Sequence, residues 1–242
     1  MYNIVMQTPE VLVVDDFLSI VDRDRIFNQV QVDKWRPSEV DDKYWHMTDG
    51  ANYKGVKRWH SERPYNNNSE IWFENFTRFL DNCAAAKLFA TRYSNIAMQC
   101  HGYPVNSKNP WHHDLGFTTY SYYLHKHWQI NWDGTLLVIP KSAQVEYQQQ
   151  LTLLSNTVQN DSYTDICPME MFEQADKVKN IISHGMGIFI SPKPNRLVLI
   201  NKGVLHGITR VDADAGENVR VTLTGMIEEP DWRETNEIYN KR

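Results

Sequence analysis

From about Asn95 onward the chain is written as short β-rich runs cut apart by turn residues, and this rhythm constrains the fold more than any other feature. The runs are IAMQCHGY, FTTYSYYL, GTLLVIP, MGIFIS, RLVLIN and VRVTLTGMI, separated by Gly, Pro, Asn and Asp. Strands of this length bury an apolar face only by stacking into a sandwich or closing into a barrel. Residues 1–94 read differently. VLVVDDF at 11–17 looks like a strand, and Ser19 is a plausible N-cap for a helix to about Gln31, with Ile20, Ile26, Phe27 and Val30 near helical spacing. Residues 34–68, rich in Trp, Asp, Asn, Pro and Gly, carry no sustained period and read as loop. Ser69 is expected to cap the next helix, in which Ile71, Trp72, Phe76, Phe79, Leu80 and Cys83 form one apolar stripe suited to packing on a sheet.

A polar stretch at about 145–180 interrupts the strands, and an excursion of that length at that point is a candidate lid or substrate loop. With 242 residues the chain can bury one good core, so a single domain over 1–242 is expected. No stretch reaches the roughly 18 consecutive apolar residues of a membrane span. The beginning, MYNIVMQTPE, lacks the basic and apolar segments of a secretory signal, so a soluble cytoplasmic protein is expected, with no membrane association. Cys83, Cys100 and Cys167 are widely spaced and without a CxxC pair, which speaks for buried thiols rather than disulfides or a cysteine-held zinc. A net charge of −5 without a Lys/Arg cluster removes the footprint of a nucleic-acid binder.

The chemistry is concentrated in NPWHHDLG, residues 109–116. If PWHHD begins a strand, alternation puts His112 and Asp114 on one face and His113 on the other. An imidazole and a carboxylate side by side can supply two ligands to a divalent metal. His206, directly after the apolar run RLVLIN and its turn, is the candidate third. Two histidines and a carboxylate form the facial triad of non-haem Fe(II) oxygenases, which leaves positions open for cosubstrate and O2. By itself HxD is a common tripeptide, and a surface His–Asp hydrogen bond explains it equally well. In VRVTLTGMI, alternation sets Arg220, Thr222 and Thr224 against Val219, Val221 and Leu223. An arginine on the pocket side is suited to bidentate capture of a carboxylate, and an arginine paired with a surface acid is the competing reading.

The order of WHHD, YSYYLHKHW, WDGTLLV, PKPNRLVLIN, LHGITRV and VRVTLTGMI resembles the Fe(II)- and 2-oxoglutarate-dependent dioxygenases of the prolyl 4-hydroxylase-like group. The resemblance covers about 95–228, and DDFLS near the N-terminus is similar to the beginning of that domain. It implies a mainly β fold, a double-stranded β-helix of jelly-roll or cupin-like type, with N-terminal α-helices as support. It further implies His112, Asp114 and His206 as iron ligands and Arg220 gripping the distal carboxylate of 2-oxoglutarate. Tyr123 would hydrogen-bond the same carboxylate, Tyr103 would line the site near the metal, and Thr222 is added because it faces the same way as Arg220. Fe(II), 2-oxoglutarate and O2 are the implied cofactor and cosubstrates, and hydroxylation of an unactivated C–H bond with release of succinate and CO2 is the implied reaction. The substrate class stays open among amino acids, peptides and other small molecules, a prolyl residue included, and so does the oligomeric state.

Some positions depart from the group. The usual YLN reads Tyr123-Leu124-His125, and the usual paired glycines are Asp133-Gly134, expected to alter a turn rather than the chemistry. Arg210 is a rival anion-binding residue. His125 and His127 fit strand-end hydrogen bonding better than a second metal site, His184 precedes a turn, and of Trp35, Trp45, Trp59 and Trp111 only the last adjoins the expected site. A non-catalytic metal- or sugar-binding jelly roll, or a plain interaction module, remains the alternative. Neither needs an arginine opposite the metal.

Overall fold

The computed structural model describes residues 2–32, 57–59, 67–93, 95–96, 98–112, 118–140 and 187–228. Its first element is a hairpin of β1 (Asn3–Gln7) and β2 (Val11–Asp15). Thr8 closes the turn, its N–H donating to Val11 O at 2.9 Å and its Oγ1 accepting from Val11 N at 3.1 Å. Helix α1 (Ile20–Val32) starts where the sequence marks it. Ser19 Oγ accepts from the Asp22 N–H at 3.1 Å and donates to Asp22 Oδ2 at 2.7 Å, which satisfies an otherwise orphaned amide of the first turn.

Helix α2 runs from Asn67 to Asn82, three residues ahead of the expected start at Glu70, so Ser69 lies inside its first turn and is not its N-cap. The helix ends where Cys83 turns extended, and a single further turn, α3 (Ala84–Lys87), follows. The expected stripe is the buried one: Trp72, Phe76, Phe79, Leu80 and Cys83 are at most 6% exposed. Burying a large apolar side chain is worth roughly 1.5–3 kcal/mol, so this stripe, rather than helix propensity, anchors α2.

Eight of the described strands form one antiparallel sheet in the order β1-β2-β10-β7-β12-β5-β3, with β4 on the far end of β12. The members beyond the hairpin are β3 (Lys57–Trp59), β4 (Asn95–Ile96), β5 (Gln99–Tyr103), β7 (Thr118–Tyr123), β10 (Leu197–Ile200) and β12 (Arg220–Glu228). A second antiparallel sheet of four has the order β6-β11-β8-β9, from β6 (Asn109–His112), β11 (Leu205–Ile208), β8 (Leu136–Ile139) and β9 (Ile188–Ile190). Lys57–Trp59 pairs with β5 inside the segment expected to be loop, a strand made by its partner rather than by its own pattern. Residues 34–56 and 60–66 and the whole of 145–180 lie outside the described residues, as do Trp35, Trp45 and Cys167.

Strand alternation divides the large sheet into two chemically different faces. Leu12, Val14, Tyr120, Tyr122, Leu197, Leu199, Val221 and Leu223 pack with Trp72, Phe76, Phe79 and Leu80 of α2. Val11, Val13, Tyr123, Val198 and Ile200 point the other way and meet Leu136 and Val138 of β8 and Ile190 of β9. The molecule is therefore mainly β, with an antiparallel jelly-roll type core between the two sheets and a second core under the helices. Cys83 and Cys100 are buried cysteines outside any disulfide. Among the described residues no helix is long and apolar enough to cross a membrane.

Candidate active site

The small sheet brings two of the expected ligand positions together. β11 pairs antiparallel with β6 so that His206 and His112 are direct partners in the ladder, and the register shifts between His206 and Ile208. Gly207 sits in that irregularity. A side chain there would meet the backbone of Trp111 at 3.2 Å and of Asn109 at 3.3 Å, so only glycine lets the two strands approach. On its other side His206 opposes Val138, a residue of the inter-sheet core, so the imidazole faces the space between the sheets. His206 is 6% exposed, and its Nδ1 lies 2.9 Å from Val204 O. A carbonyl only accepts, so Nδ1 carries the proton and Nε2 is the unprotonated nitrogen, the arrangement typical of metal-ligating histidines. β6 spans Asn109–His112, so Pro110, Trp111 and His112 lie in a strand. Asp114 lies outside the described residues, and of His112 only the backbone is described.

Arg220 opens β12 opposite Tyr103 of β5, and two residues on Thr222 stands opposite Tyr123 of β7 and His101 of β5. Tyr123 belongs to the inter-sheet core, which puts Arg220 and Thr222 on the same inward face. The alternation read from VRVTLTGMI therefore holds, with Val221 and Leu223 turned to the helices. Arg220 is 0% exposed, and its guanidinium lies between two rings, 4.9 Å from the centre of Tyr103 and 4.9 Å from that of Tyr123. Among the described residues, none of its three side-chain nitrogens and not the Tyr123 hydroxyl finds a hydrogen-bond partner. A buried cation with no counter-charge is costly, and two aromatic faces offset only part of that cost. Tyr103 OH lies 3.2 Å from His101 Nδ1, and Thr222 is 2% exposed.

Behind Arg220 lies a turn that sequence reasoning undervalued. Gly134 has φ +67° and is packed so closely on Arg220 that a Cβ would lie 2.9 Å from Arg220 Cδ. Asp133 adopts φ 54°, a conformation natural to glycine, and is held there from several sides. Its carboxylate accepts from Thr209 Oγ1 and its carbonyl accepts from Trp128 Nε1 at 2.9 Å, while its backbone bridges to Val211. The expectation that Asp133-Gly134 only reshapes a turn is thus corrected, because that turn forms the packing surface for the arginine. Its signal was the glycine alone, and the partner lies far away in sequence.

His125, where the group has asparagine, is 3% exposed between two carbonyls, Nε2 at 2.8 Å from Pro192 O and Nδ1 at 3.2 Å from Val221 O. It fastens the end of β7 to β12, the strand-end role expected of it. Burial pushes its pKa down to about 4, and the nearby Arg220 charge acts in the same direction, so the ring is neutral at pH 7. His127 is exposed and edges onto Trp132 with 5.3 Å between ring centres. Arg210 is exposed beyond the end of β11, away from the inward face. Trp111 is half-buried next to His112, and His184 lies outside the described residues.

The chain has the fold of the prolyl 4-hydroxylase-like 2-oxoglutarate oxygenases. A Pseudomonas putida prolyl 4-hydroxylase superposes with a TM-score of 0.57 at 12% identity over 91% of this chain and 92% of its own. A prolyl hydroxylase from Trichoplax adhaerens, solved with a hypoxia-inducible factor peptide fragment, gives 0.57 at 13% identity over 94% and 87%. HygX from Streptomyces hygroscopicus, solved with nickel and 2-oxoglutarate, gives 0.56 at 9% identity over 91% and 83%. No protein-family model matches the sequence, and no curated protein matches it by sequence.

Proposed function

We propose that this protein is an Fe(II)- and 2-oxoglutarate-dependent dioxygenase that hydroxylates an unactivated C–H bond. The whole chain, 1–242, is read as one catalytic domain, with 1–94 as support, 95–228 as a double-stranded β-helix core and 145–180 as a substrate cover. The observation that carries the reading is Arg220, a fully buried guanidinium whose nitrogens have no partner among the described residues, on the same inward side of the sandwich as His206. A non-catalytic metal- or sugar-binding jelly roll has no use for such a group. A dicarboxylic cosubstrate, held at one end by a metal, does.

In this reading His112, Asp114 and His206 hold the metal, and the Val204 carbonyl fixes the His206 ring so that Nε2 faces it. Arg220 receives the distal carboxylate, the Tyr123 hydroxyl donates to it, and Thr222 and Tyr103 close the sides. When bound, Fe(II), 2-oxoglutarate and O2 supply an oxidative decarboxylation that yields succinate and CO2 and places one oxygen atom of O2 on the substrate carbon. The protein's own work is to orient the dicarboxylate between charge and metal and to keep water out of the inter-sheet space.

The substrate is an amino acid, a peptide or another small molecule. Proteins of this fold include one solved with a peptide and one, HygX, solved with hygromycin B, and a shared fold does not choose between them. The test is anaerobic titration with Fe(II) and then 2-oxoglutarate, watching for the weak visible charge-transfer band of the chelate. The band is expected in the wild type and absent in His112→Ala. A wild-type protein that binds iron and gives no band sinks the proposal.

A further inference from the structure

Resting on that reading, we propose that Gly134 is a specificity-determining position: its bare α-carbon is the wall that fixes how far Arg220 reaches into the pocket, and so fixes the chain length of the 2-oxo diacid accepted. Three surfaces confine the arginine. The rings of Tyr103 and Tyr123 flank the guanidinium at 4.9 Å each and leave it no sideways swing. Gly134 closes the third side, since a Cβ on it would stand 2.9 Å from Arg220 Cδ and 3.6 Å from Nε.

The wall itself does not yield. The same Cβ position lies 3.2 Å from Val211 Cγ2, and Val211 is 0% exposed. Hydrogen bonds hold the turn from behind, from Trp128 Nε1 to Asp133 O at 2.9 Å and from Asp212 N to Trp132 O at 3.0 Å. A lysine or a loosely packed arginine could follow a ligand one methylene longer or shorter. This one cannot. With the opposite end of the ligand fixed at a metal, a guanidinium that neither retracts nor swings measures the distance between the two carboxylates.

The test is calorimetric binding of oxaloacetate, 2-oxoglutarate and 2-oxoadipate to the protein loaded with redox-inert Zn(II), which reads affinity rather than turnover. The wild type is expected to prefer 2-oxoglutarate to both others by at least about tenfold. Gly134→Ala pushes the arginine inward, and the ratio of oxaloacetate to 2-oxoglutarate affinity is expected to rise at least about tenfold. Because alanine at φ +67° is strained and that variant can fail to fold, Gly134→Asn, which also adds a Cβ but tolerates a positive φ, is the second variant. Its ratio of oxaloacetate to 2-oxoglutarate affinity should shift in the same direction as that of Gly134→Ala. Unchanged ratios in the variants that fold, or a wild type indifferent to chain length, overturn the role of Gly134 and leave the oxygenase reading standing. A wild type that binds none of the three acids overturns both.

Discussion

The guanidinium carbon of Arg220 lies 4.9 Å from the ring centre of Tyr123, and among the described residues neither the guanidinium nor the Tyr123 hydroxyl has a hydrogen-bond partner. Two buried polar groups side by side, both unsatisfied, store a cost in the ligand-free fold that an anion relieves on arrival.

Arg220→Met should therefore make the ligand-free protein more stable while abolishing its response to 2-oxoglutarate. Replacing a buried unpaired charge by an apolar side chain of similar length is expected to gain about 1 kcal/mol or more. Urea denaturation of both proteins, with and without the diacid, checks this. A variant less stable than the wild type would mean that the arginine is already neutralised.

His125 predicts a dependence on acid. Its folded-state pKa of about 4 lies below the ordinary 6.5, so the unfolded chain takes up the proton first. The contribution to stability is complete above about pH 6.5 and is lost as the pH falls through 4. The loss over that window amounts to about 3 kcal/mol. His125→Asn, which restores the residue usual in the resembling group, should flatten the profile there. Denaturation midpoints that fall equally in both proteins between pH 6.5 and 4 would refute the assignment.

Asp15 carries the main ion pair of the large sheet's outer half. Arg196 Nε reaches Asp15 Oδ1 at 2.7 Å and Lys193 Nζ reaches Oδ2 at 2.7 Å. Burial works against the charge on Asp15, but these bonds outweigh it and hold the carboxyl below its usual 3.8. Its stabilising share is present above that pH and disappears as the pH falls through the lower, folded value. Asp15→Asn at neutral pH should cost about 2–4 kcal/mol, since it strands an Arg196 that is only 14% exposed. Lys193→Ala should cost less than about 1 kcal/mol, because Lys193 is 47% exposed. Equal costs would contradict this division.

Much of the site was legible because the two faces of its strands differ in chemistry. In β12 the alternation of Arg220 and Thr222 with Val221 and Leu223 separates a pocket side from a helix side, and both sides are occupied as the sequence suggests. In β1 no such contrast exists: Asn3–Gln7 is exposed throughout, so nothing in its residues announces a strand until Val11–Asp15 pairs with it. Lys57–Trp59 escaped for the same reason, its structure being imposed by β5. Asp133 and Gly134 were noticed but misjudged, because a turn's importance depends on what packs against it. Here that is an arginine from the other sheet, joined to it by no sequence period.

The polar excursion leaves the core after β8 and returns at β9, and these two strands are hydrogen-bonded neighbours, with Leu136 opposite Ile190 and Val138 opposite Ile188. Its two attachment points are therefore held side by side by a ladder that is complete without it. A tight hairpin would close the same gap, and the entropic cost of a longer closure grows only with the logarithm of its length. At this point of the fold, chain can be gained, lost or rewritten while β8 and β9 stay paired, so selection can revise this stretch and leave the two sheets alone.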